Sequence, residues 1–142
     1  MKIVSFSVSS KWYSQALALR HEVLRQPLGL EFTPAELEKD KSDVHFAIVE
    51  NNEVLACLTL SAYNSQKVKM RQVAIKATRQ RQGLGKKLAT FAANKAQKNG
   101  YTTMFCHARK TAVPFYISMG YQIVSSEFLE VGIPHVVMET KL

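Results

Sequence analysis

The first forty residues have the hydrophobic spacing of a helix followed by a loop. Hydrophobic residues recur at helical spacing from Trp12 to Leu24, and Ser9 and Ser10 precede them as possible helix caps. The next stretch, 27–34, contains two prolines and a glycine, which is typical of a loop. Residues 35–41 then predict a short helical turn.

Three strands are predicted in succession through the middle of the chain. The segments 45–50 and 53–62 are rich in hydrophobic residues, and Asn51-Asn52 between them favours a tight turn. These two segments therefore predict a β-hairpin. The segment 68–75 alternates hydrophobic with polar residues before it becomes wholly hydrophobic, so we expect a third strand there.

The second half of the chain continues to alternate between helix and strand. Hydrophobic residues line one face of a helix from Leu84 to Ala96, and Asn99-Gly100 is a typical helix end. The chain contains no internal repeat or low-complexity tract, and its order of elements predicts an α/β fold. The other elements predicted are a strand at 102–108, a helix at 112–119 that ends before Gly120, and strands at 121–124 and 135–140.

Size and composition fit one globular domain that spans 1–142, since the chain has 142 residues and 46% of them are hydrophobic. The N-terminus lacks the features of a signal peptide, and no run of roughly eighteen apolar residues occurs, so we expect a cytoplasmic protein without a membrane partner. Cys57 and Cys106 lie in apolar strand-like runs, which favours buried free thiols over a disulfide. The histidines are far apart and no cysteine clusters with them, so no metal site is predicted.

Charge is distributed unevenly along the chain. The formal net charge is +8, yet residues 54–126 contain no Asp or Glu and hold 12 of the 19 lysines and arginines. The flanking segments contain all 11 acidic residues. A basic middle segment indicates an anionic partner, either a phosphorylated cofactor or nucleic acid, and the alternative is a solvated basic surface without a specific partner.

The sequence QRQGLG, residues 80–85, lies between the third predicted strand and the following helix. Its glycines allow the backbone to approach a ligand closely, and the first amides of the helix are free to bind a phosphate. The pattern is not a P-loop, because Gln80 and Lys87 stand where that motif has glycine and a hydroxyl residue. It is not the dinucleotide fingerprint either, because Leu88 replaces the third glycine.

The pattern QxxGxG, from Gln80 to Gly85, resembles the pyrophosphate-binding signature of the GNAT superfamily of N-acetyltransferases. The predicted elements follow the order typical of that superfamily. The segments "LRHEVLRQPLGL", "HAR" and "EFLEVGIPHVVMETKL" further resemble a small bacterial branch of it, so the resemblance covers nearly the whole chain. It implies a mixed, mostly antiparallel sheet flanked by helices, in which two parallel strands splay apart to form an acetyl-CoA groove.

The same resemblance assigns residues to the binding of acetyl-CoA as a co-substrate. Backbone groups of three strand residues would bind the pantetheine arm, and backbone amides of the following turn would bind the pyrophosphate. Neighbouring cations, namely Arg79, Arg81, Lys86 or Lys87, would add positive charge near the phosphates. The cofactor-binding residues implied are Val73, Ala74, Ile75, Gln80, Arg81, Gln82, Gly83, Leu84, Gly85 and Lys86.

Acetyl transfer to an amine requires a neutral amine, stabilisation of the oxyanion and a proton for the departing thiolate. A backbone N–H of residues 73–75 is the expected oxyanion donor. Tyr116 aligns with the tyrosine that protonates the CoA thiolate in many family members, because Phe115-Tyr116 is followed by Gly120-Tyr121. The alternative for Tyr116 is a structural role, with its ring packed on the sheet.

A general base is harder to assign, because residues 54–126 contain no carboxylate. His107, at the end of a predicted strand, and His135, which follows Pro134, are the histidine candidates. A lone histidine is more often structural than catalytic, and a free amine in solution would need no base. The acidic candidates, all from the flanks, are Glu31, Asp40, Asp43, Glu127 and Glu130.

Two other functions remain open from the residues alone. The net charge is compatible with a nucleic-acid-binding domain, but aromatic residues are not interleaved with the cations and no recognition motif is present, so we predict no nucleic-acid partner. The fold could also bind acyl-CoA as a sensor without turnover. The main prediction is an N-acetyltransferase that acts on a small-molecule or peptide amine, and the resemblance allows a homodimer.

Overall fold

The computed structural model describes all residues, Met1–Leu142, and contains eight strands and four α-helices. In chain order they are β1 (Lys2–Phe6), α1 (Lys11–Leu24), α2 (Pro34–Asp40), β2 (Val44–Glu50), β3 (Glu53–Ala62), β4 (Lys67–Ile75), α3 (Leu84–Lys98), β5 (Thr103–Arg109), α4 (Val113–Ser118), β6 (Gln122–Ile123), β7 (Phe128–Glu130) and β8 (Ile133–Lys141). Not one of these helices combines the length and the apolar character needed to cross a membrane.

The strands form one mixed sheet in the order β1-β2-β3-β4-β5-β8-β6, and β7 also pairs with β8. Strands β4 and β5 are parallel, whereas the pairs β1–β2, β2–β3, β5–β8, β6–β8 and β7–β8 are antiparallel. The predicted α/β class with a mixed, mostly antiparallel sheet is therefore confirmed. The chain divides into two compact units, which we call the first unit (1–61 and 72–92) and the second unit (62–71 and 93–142). That both belong to a single domain stays a prediction.

The first unit forms its hydrophobic core where helix α1 meets the strands. Ser10 caps α1, because its hydroxyl accepts a hydrogen bond from the Trp12 N–H at 3.2 Å. Helix α1 then buries Trp12, Ala16 and Leu19 against hydrophobic side chains from β1, β2, β3 and β4. The predicted cap and the predicted buried face of this helix are both confirmed.

Local sequence signals also set the next boundaries in the first unit. Helix α2 begins at Pro34, one residue before the predicted start, because Thr33 and Glu36 form a capping box around its first turn. The predicted hairpin turn is present, and Asn51 and Asn52 both have positive φ angles, of 52° and 61°. That is the conformation that a two-residue hairpin loop requires.

Strands β1 and β7 were not predicted from the sequence. Strand β1 has five residues and pairs with β2 from Lys2 opposite Val49 to Phe6 opposite His45. Strand β7 has only three residues. Segments of this length show too few alternations to reveal a period, so it is pairing with a neighbouring strand that makes them strands.

In the second unit, β5 and β8 pair over seven residues, from Thr103 opposite Lys141 to Arg109 opposite His135. One face of β5 is buried and consists of Met104, Cys106 and Ala108. The opposite face is half-buried and carries polar and aromatic side chains. Like Cys106, Cys57 in the first unit is a free, buried cysteine, as the sequence predicts.

Candidate active site

A turn with left-handed residues connects β4 to helix α3 in the first unit. Gln80 is extended, and the residues that follow include Arg81 with a φ of 63° and Gly83 with a φ of 77°. For a residue other than glycine this conformation costs about 1–2 kcal/mol. Arg81 therefore marks a backbone shape that the surrounding fold imposes, whereas Gly83 adopts its φ at little cost.

The amides at the start of α3 are arranged to bind an anion. The Lys87 N–H donates to the Gly83 carbonyl at 3.0 Å, and this is the first hydrogen bond of the helix. The amides of residues 83–86 therefore have no partner within the helix. Because the helix dipole places partial positive charge at the same end, the turn has the features of a phosphate-binding site.

Side chains of the first unit brace this turn. The Gln80 side-chain amide donates to the Ile75 carbonyl at 3.3 Å. Arg79 donates to the Gln82 side-chain oxygen at 3.1 Å and to the Glu50 carboxylate at 2.8 Å. Because Glu50 neutralises it, Arg79 is a brace of the turn rather than an unpaired cation available to phosphate. The exposed cations beside the turn are Arg81, Lys86 and Lys87.

Strand β4 changes character along its length. Its parallel ladder with β5 consists of three residue pairs and ends at Lys69 and Phe105. Gln72 then has a φ of 57°, which is a left-handed conformation within a strand. The sequence did not predict this conformation, because glutamine is not a residue type that favours left-handed backbone. Beyond Gln72, Val73–Ile75 complete the strand in the first unit.

Alternation along β4 determines where its backbone amides point. The Lys76 N–H donates to the Leu55 carbonyl of β3 at 2.8 Å, so this amide points towards β3. Successive residues of a strand direct their N–H groups to opposite sides. The amides of Val73 and Ile75 therefore point away from β3, whereas the Ala74 amide points towards it, at the Cys57 thiol.

The end of α4 holds Tyr116 in a Schellman motif. The Tyr121 N–H donates to the Tyr116 carbonyl and the Gly120 N–H donates to the Ile117 carbonyl, both at 3.0 Å, and Gly120 has a φ of 91°. The rings of Tyr116 and Tyr121 meet edge to face, 5.4 Å apart. The Gly-aromatic pair that was noted in the sequence thus fixes the position of Tyr116.

The Tyr116 side chain is buried, with 7% of its surface exposed, and its hydroxyl is hydrogen-bonded to the Cys106 thiol. Burial raises the pKa of Tyr116 well above its usual value, and Cys106 and Tyr121 raise it further. Burial likewise raises the pKa of Cys106 to about 12. Tyr116 therefore remains protonated at neutral pH, which is the form that a general acid requires.

Glu130, on β7 of the second unit, lies between the two candidate histidines. Its Oε1 is 2.9 Å from Nδ1 of His107 on β5, and its Oε2 is 3.6 Å from Nε2 of His135 on β8. The Phe128 ring lies against both imidazoles, with centroid distances of 5.2 Å and 6.0 Å. Nζ of Lys69 is 3.4 Å from Nδ1 of His107. We call these five residues the histidine cluster.

The register of the strands explains why the cluster forms. His135 lies opposite Arg109 of β5 and opposite Phe128 of β7. His107 is two residues from Arg109, and Glu130 is two residues from Phe128, so all of these side chains share one face of the sheet. The role of Glu130 could not be seen in the sequence, because it depends on pairing between strands.

Glu130 is ionised at neutral pH. Burial alone would raise the pKa of Glu130, but the hydrogen bond from His107 and the positive charges of His107, His135 and Lys69 lower it below its usual value. The two histidines differ in access, because the His107 side chain is 26% exposed and the His135 side chain only 4%.

Asp40, another acidic candidate, belongs to a buried network in the first unit. It accepts hydrogen bonds from the Tyr13 hydroxyl at 2.6 Å and from Arg20 at 2.9 Å. The ring nitrogens of His45 bind the Asp40 carbonyl and the Thr59 hydroxyl, each at 2.9 Å. Burial and the bond to Asp40 raise the pKa of Tyr13 to about 12. These contacts give Asp40 a structural role, which the sequence did not reveal.

The other acidic candidates lie in varied surroundings. Asp43 is buried, Glu31 is exposed, and Glu127 forms an ion pair with Lys110 at 3.5 Å. Glu130 is thus the acidic candidate that belongs to the histidine cluster. No group of three or more His, Cys, Asp or Glu side chains is arranged to hold a metal ion.

The model of the acetyltransferase (GNAT) domain family matches residues 22–142, and the chain therefore belongs to this family. This match confirms the resemblance inferred from Gln80–Gly85 and its surroundings. The Bacillus subtilis protein YyaT, itself uncharacterized, is 35% identical over 74 residues, which cover 52% of this chain and 50% of YyaT. The chain thus matches about half the length of this curated relative.

Solved structures share the fold over almost the full chain. A candidate N-acetyltransferase from Lactobacillus plantarum has a TM-score of 0.88 at 24% identity, covering 99% of this chain and 97% of that one. A GNAT family acetyltransferase from Elizabethkingia anophelis, solved with acetyl-CoA bound, has a TM-score of 0.79 at 16% identity, with the same coverage of 99% and 97%. At these identities the similarity establishes the fold.

Proposed function

We propose that this protein is an N-acetyltransferase that transfers the acetyl group of acetyl-CoA to a primary amine of a small molecule or peptide. The observation that carries the proposal is the turn at 80–86. Arg81 and Gly83 direct the backbone into a helix whose first amides have no partner within it. The diphosphate of CoA is the anion that suits such a turn in a GNAT family member, and the acetyl-CoA bound to the Elizabethkingia anophelis protein supports the same donor.

In this proposal the pantetheine arm lies along the end of β4. The amides of Val73 and Ile75 point away from β3, so they are the backbone donors of this segment that a ligand on that side can use. One of them donates a hydrogen bond to the oxyanion when the amine attacks the thioester carbonyl. A backbone donor held in a strand is already oriented, so it stabilises the developing charge without reorganisation.

Tyr116 acts as the general acid in this scheme. When the carbon–sulfur bond breaks, the CoA thiolate is the base that receives the phenolic proton. The raised pKa of Tyr116 makes the phenol a weak acid, so it keeps its proton before the carbon–sulfur bond breaks and stabilises the departing thiolate through a hydrogen bond as the proton moves. The general base is one of the two imidazoles of the histidine cluster, His107 or His135, which accepts the proton lost by the amine directly or through water.

We expect the protein to act in the cytoplasm, without a nucleic-acid or membrane partner, and a homodimer is compatible with the reaction. The competing function that uses the same turn is an acyl-CoA sensor, which would bind the donor without transferring its acetyl group.

The test combines a binding measurement with a transfer assay. Calorimetry should detect binding of acetyl-CoA, whereas duplex DNA at physiological salt should not bind. Release of the CoA thiol should then depend on an added amine, and a panel of amino acids, polyamines, aminoglycosides and peptides would identify the acceptor class. Binding without amine-dependent release would favour the sensor, and absence of acetyl-CoA binding would refute both functions.

A further inference from the structure

The two imidazoles of the histidine cluster differ in their contacts and in their exposure. We propose that Nε2 of His107 is the atom that removes the proton from the attacking amine, and that Glu130 is a positioning residue that holds His107 in the tautomer this step requires. The inference rests on the proposed acetyl transfer.

The hydrogen bond between His107 and Glu130 determines the tautomer. An ionised carboxylate can only accept a hydrogen bond. Since Oε1 of Glu130 lies 2.9 Å from Nδ1 of His107, Nδ1 must carry the hydrogen. In the neutral ring the lone pair is then on Nε2. Lys69 lies further from the same nitrogen, at 3.4 Å, so the carboxylate is the closer partner of Nδ1.

His135 is held in a different way. Its Nδ1 is 2.9 Å from the Ile133 carbonyl, and its Nε2 faces Oε2 of Glu130 at 3.6 Å. Both ring nitrogens of His135 therefore face oxygen acceptors, and the ring is almost fully buried. The buried ring leaves neither nitrogen open to an amine, and its ion-pair contact is with the carboxylate that orients His107. The His107 side chain is 26% exposed and makes its contacts with Glu130 and Lys69 through Nδ1, so in this proposal Nε2 is the nitrogen that meets the substrate.

The charged and titratable groups around His107 come from three neighbouring strands. Lys69 extends from β4, Glu130 from β7 and His135 from β8, while Arg109 lies two residues further along β5 itself. Glu130 is the carboxylate among them. It therefore stabilises the imidazolium that forms when His107 accepts a proton, as well as the starting tautomer.

These groups supply and accept every proton that the reaction moves. The amine lone pair forms the new carbon–nitrogen bond, and the nitrogen loses a proton to Nε2 of His107. The tetrahedral intermediate then expels the CoA thiolate, which takes the proton of Tyr116. The imidazolium of His107 loses its proton to solvent and Tyr116 regains one, so the net products are an amide and the CoA thiol.

The tautomer can be measured without turnover. In nitrogen-15 spectra of the imidazoles of the ligand-free protein, His107 should be protonated at Nδ1 in its neutral form. Glu130→Ala should shift His107 towards the form protonated at Nε2. Glu127→Ala, which removes a carboxylate three residues before Glu130 that is paired with Lys110, should leave the spectrum of His107 unchanged. A wild-type His107 protonated at Nε2 would overturn the inference.

Steady-state kinetics test whether Nε2 of His107 acts as the general base. His107→Gln should lower kcat by roughly 10²- to 10⁴-fold, and Glu130→Ala by about tenfold or more, while the Kd for acetyl-CoA stays within about twofold. The acidic limb of the pH profile of kcat should disappear in His107→Gln, and added imidazole should restore part of the activity of His107→Ala. His21→Gln, in helix α1, is the matched control and should retain the wild-type kcat.

The outcomes separate this inference from the proposed function. If wild-type protein transfers acetyl groups and His107→Gln has an unchanged kcat and pH profile, His107 is not the base, although the enzyme assignment stands. If wild-type protein transfers acetyl groups to no amine, the proposed function fails and the base role fails with it. Loss of activity in His107→Gln without imidazole rescue of His107→Ala, and with a wild-type pH profile, would indicate a structural histidine and would also overturn the inference.

Discussion

Substitution of Gly83 by alanine perturbs the turn at 80–86 in a way whose size can be worked out from the structure. A Cβ atom at position 83 would meet no other atom within 4 Å, so the substitution causes no clash. Its cost arises from the φ of 77°, which for alanine amounts to about 1–2 kcal/mol. Gly29 offers a matched control in the same unit, since it has a φ of 68° and equally open space around its Cβ position.

The two variants should lose similar stability but differ in their affinity for acetyl-CoA. In Gly83→Ala, relaxation of the backbone tilts the amides of residues 83–86 away from the diphosphate. Each hydrogen bond to a charged group is worth about 1.5–3 kcal/mol, and about 1.4 kcal/mol corresponds to a tenfold change in Kd. Gly83→Ala should therefore weaken binding by roughly tenfold or more, whereas Gly29→Ala should leave the Kd unchanged.

Calorimetric titration at fixed ionic strength measures the Kd, and thermal unfolding checks that the two variants are equally destabilised. A loss of about 1 kcal/mol should lower Tm by roughly 2–4 °C in a chain of this size. Equal Kd values in wild type, Gly83→Ala and Gly29→Ala would refute the reasoning, because the turn would then not hold the diphosphate. A similar loss of affinity in both variants would mean that destabilisation, not the turn, weakens binding.

Tyr116→Phe should lower kcat by about 10²-fold or more with little change in acetyl-CoA affinity. Tyr121→Phe, at the ring that contacts Tyr116, should retain the wild-type kcat. Equal effects of the two substitutions in steady-state kinetics would mean that Tyr116 is only structural. Asp40→Ala leaves the buried Arg20 charge without its carboxylate, so urea unfolding should show a loss of about 3–5 kcal/mol; a loss below about 1 kcal/mol, as is typical of exposed ion pairs, would contradict this. Val131→Asn should stabilise the β7–β8 hairpin by about 1 kcal/mol, because Val131 has a φ of 47° and precedes Gly132, and an unchanged or lower Tm would speak against strain at this residue.

The parts of the fold that were predicted from the sequence depend on local signals. The Ser10 cap, the Asn51-Asn52 turn and the end of α4 at Gly120 each depend on residues within a few positions of one another. Helix α1 is long enough to show a helical period, and strands β2 to β5 are long enough to show hydrophobic or alternating runs. The turn at 80–86 was also predicted from local signals, because its two glycines lie directly between a predicted strand and a predicted helix.

The rest depends on contacts between segments that are distant along the chain. Strand β1 exists because it pairs with β2, and Gln72 is left-handed although its residue type does not favour that conformation. Glu130 meets His107 and His135 because the β5–β8 and β7–β8 registers place them on one face. All three residues could be named from the sequence as candidate bases. Their arrangement became visible only from the pairing of the strands.

The bracing of the turn at 80–86 has a thermodynamic consequence for ligand capture. The Gln80 side chain is hydrogen-bonded to the Ile75 carbonyl, and Arg79 is hydrogen-bonded to Gln82 and Glu50. A loop that is already preorganised has little conformational entropy left to lose when it closes on a diphosphate. Association with acetyl-CoA should then be fast, because the exposed cations beside the loop attract the diphosphate. The association rate should fall as ionic strength rises.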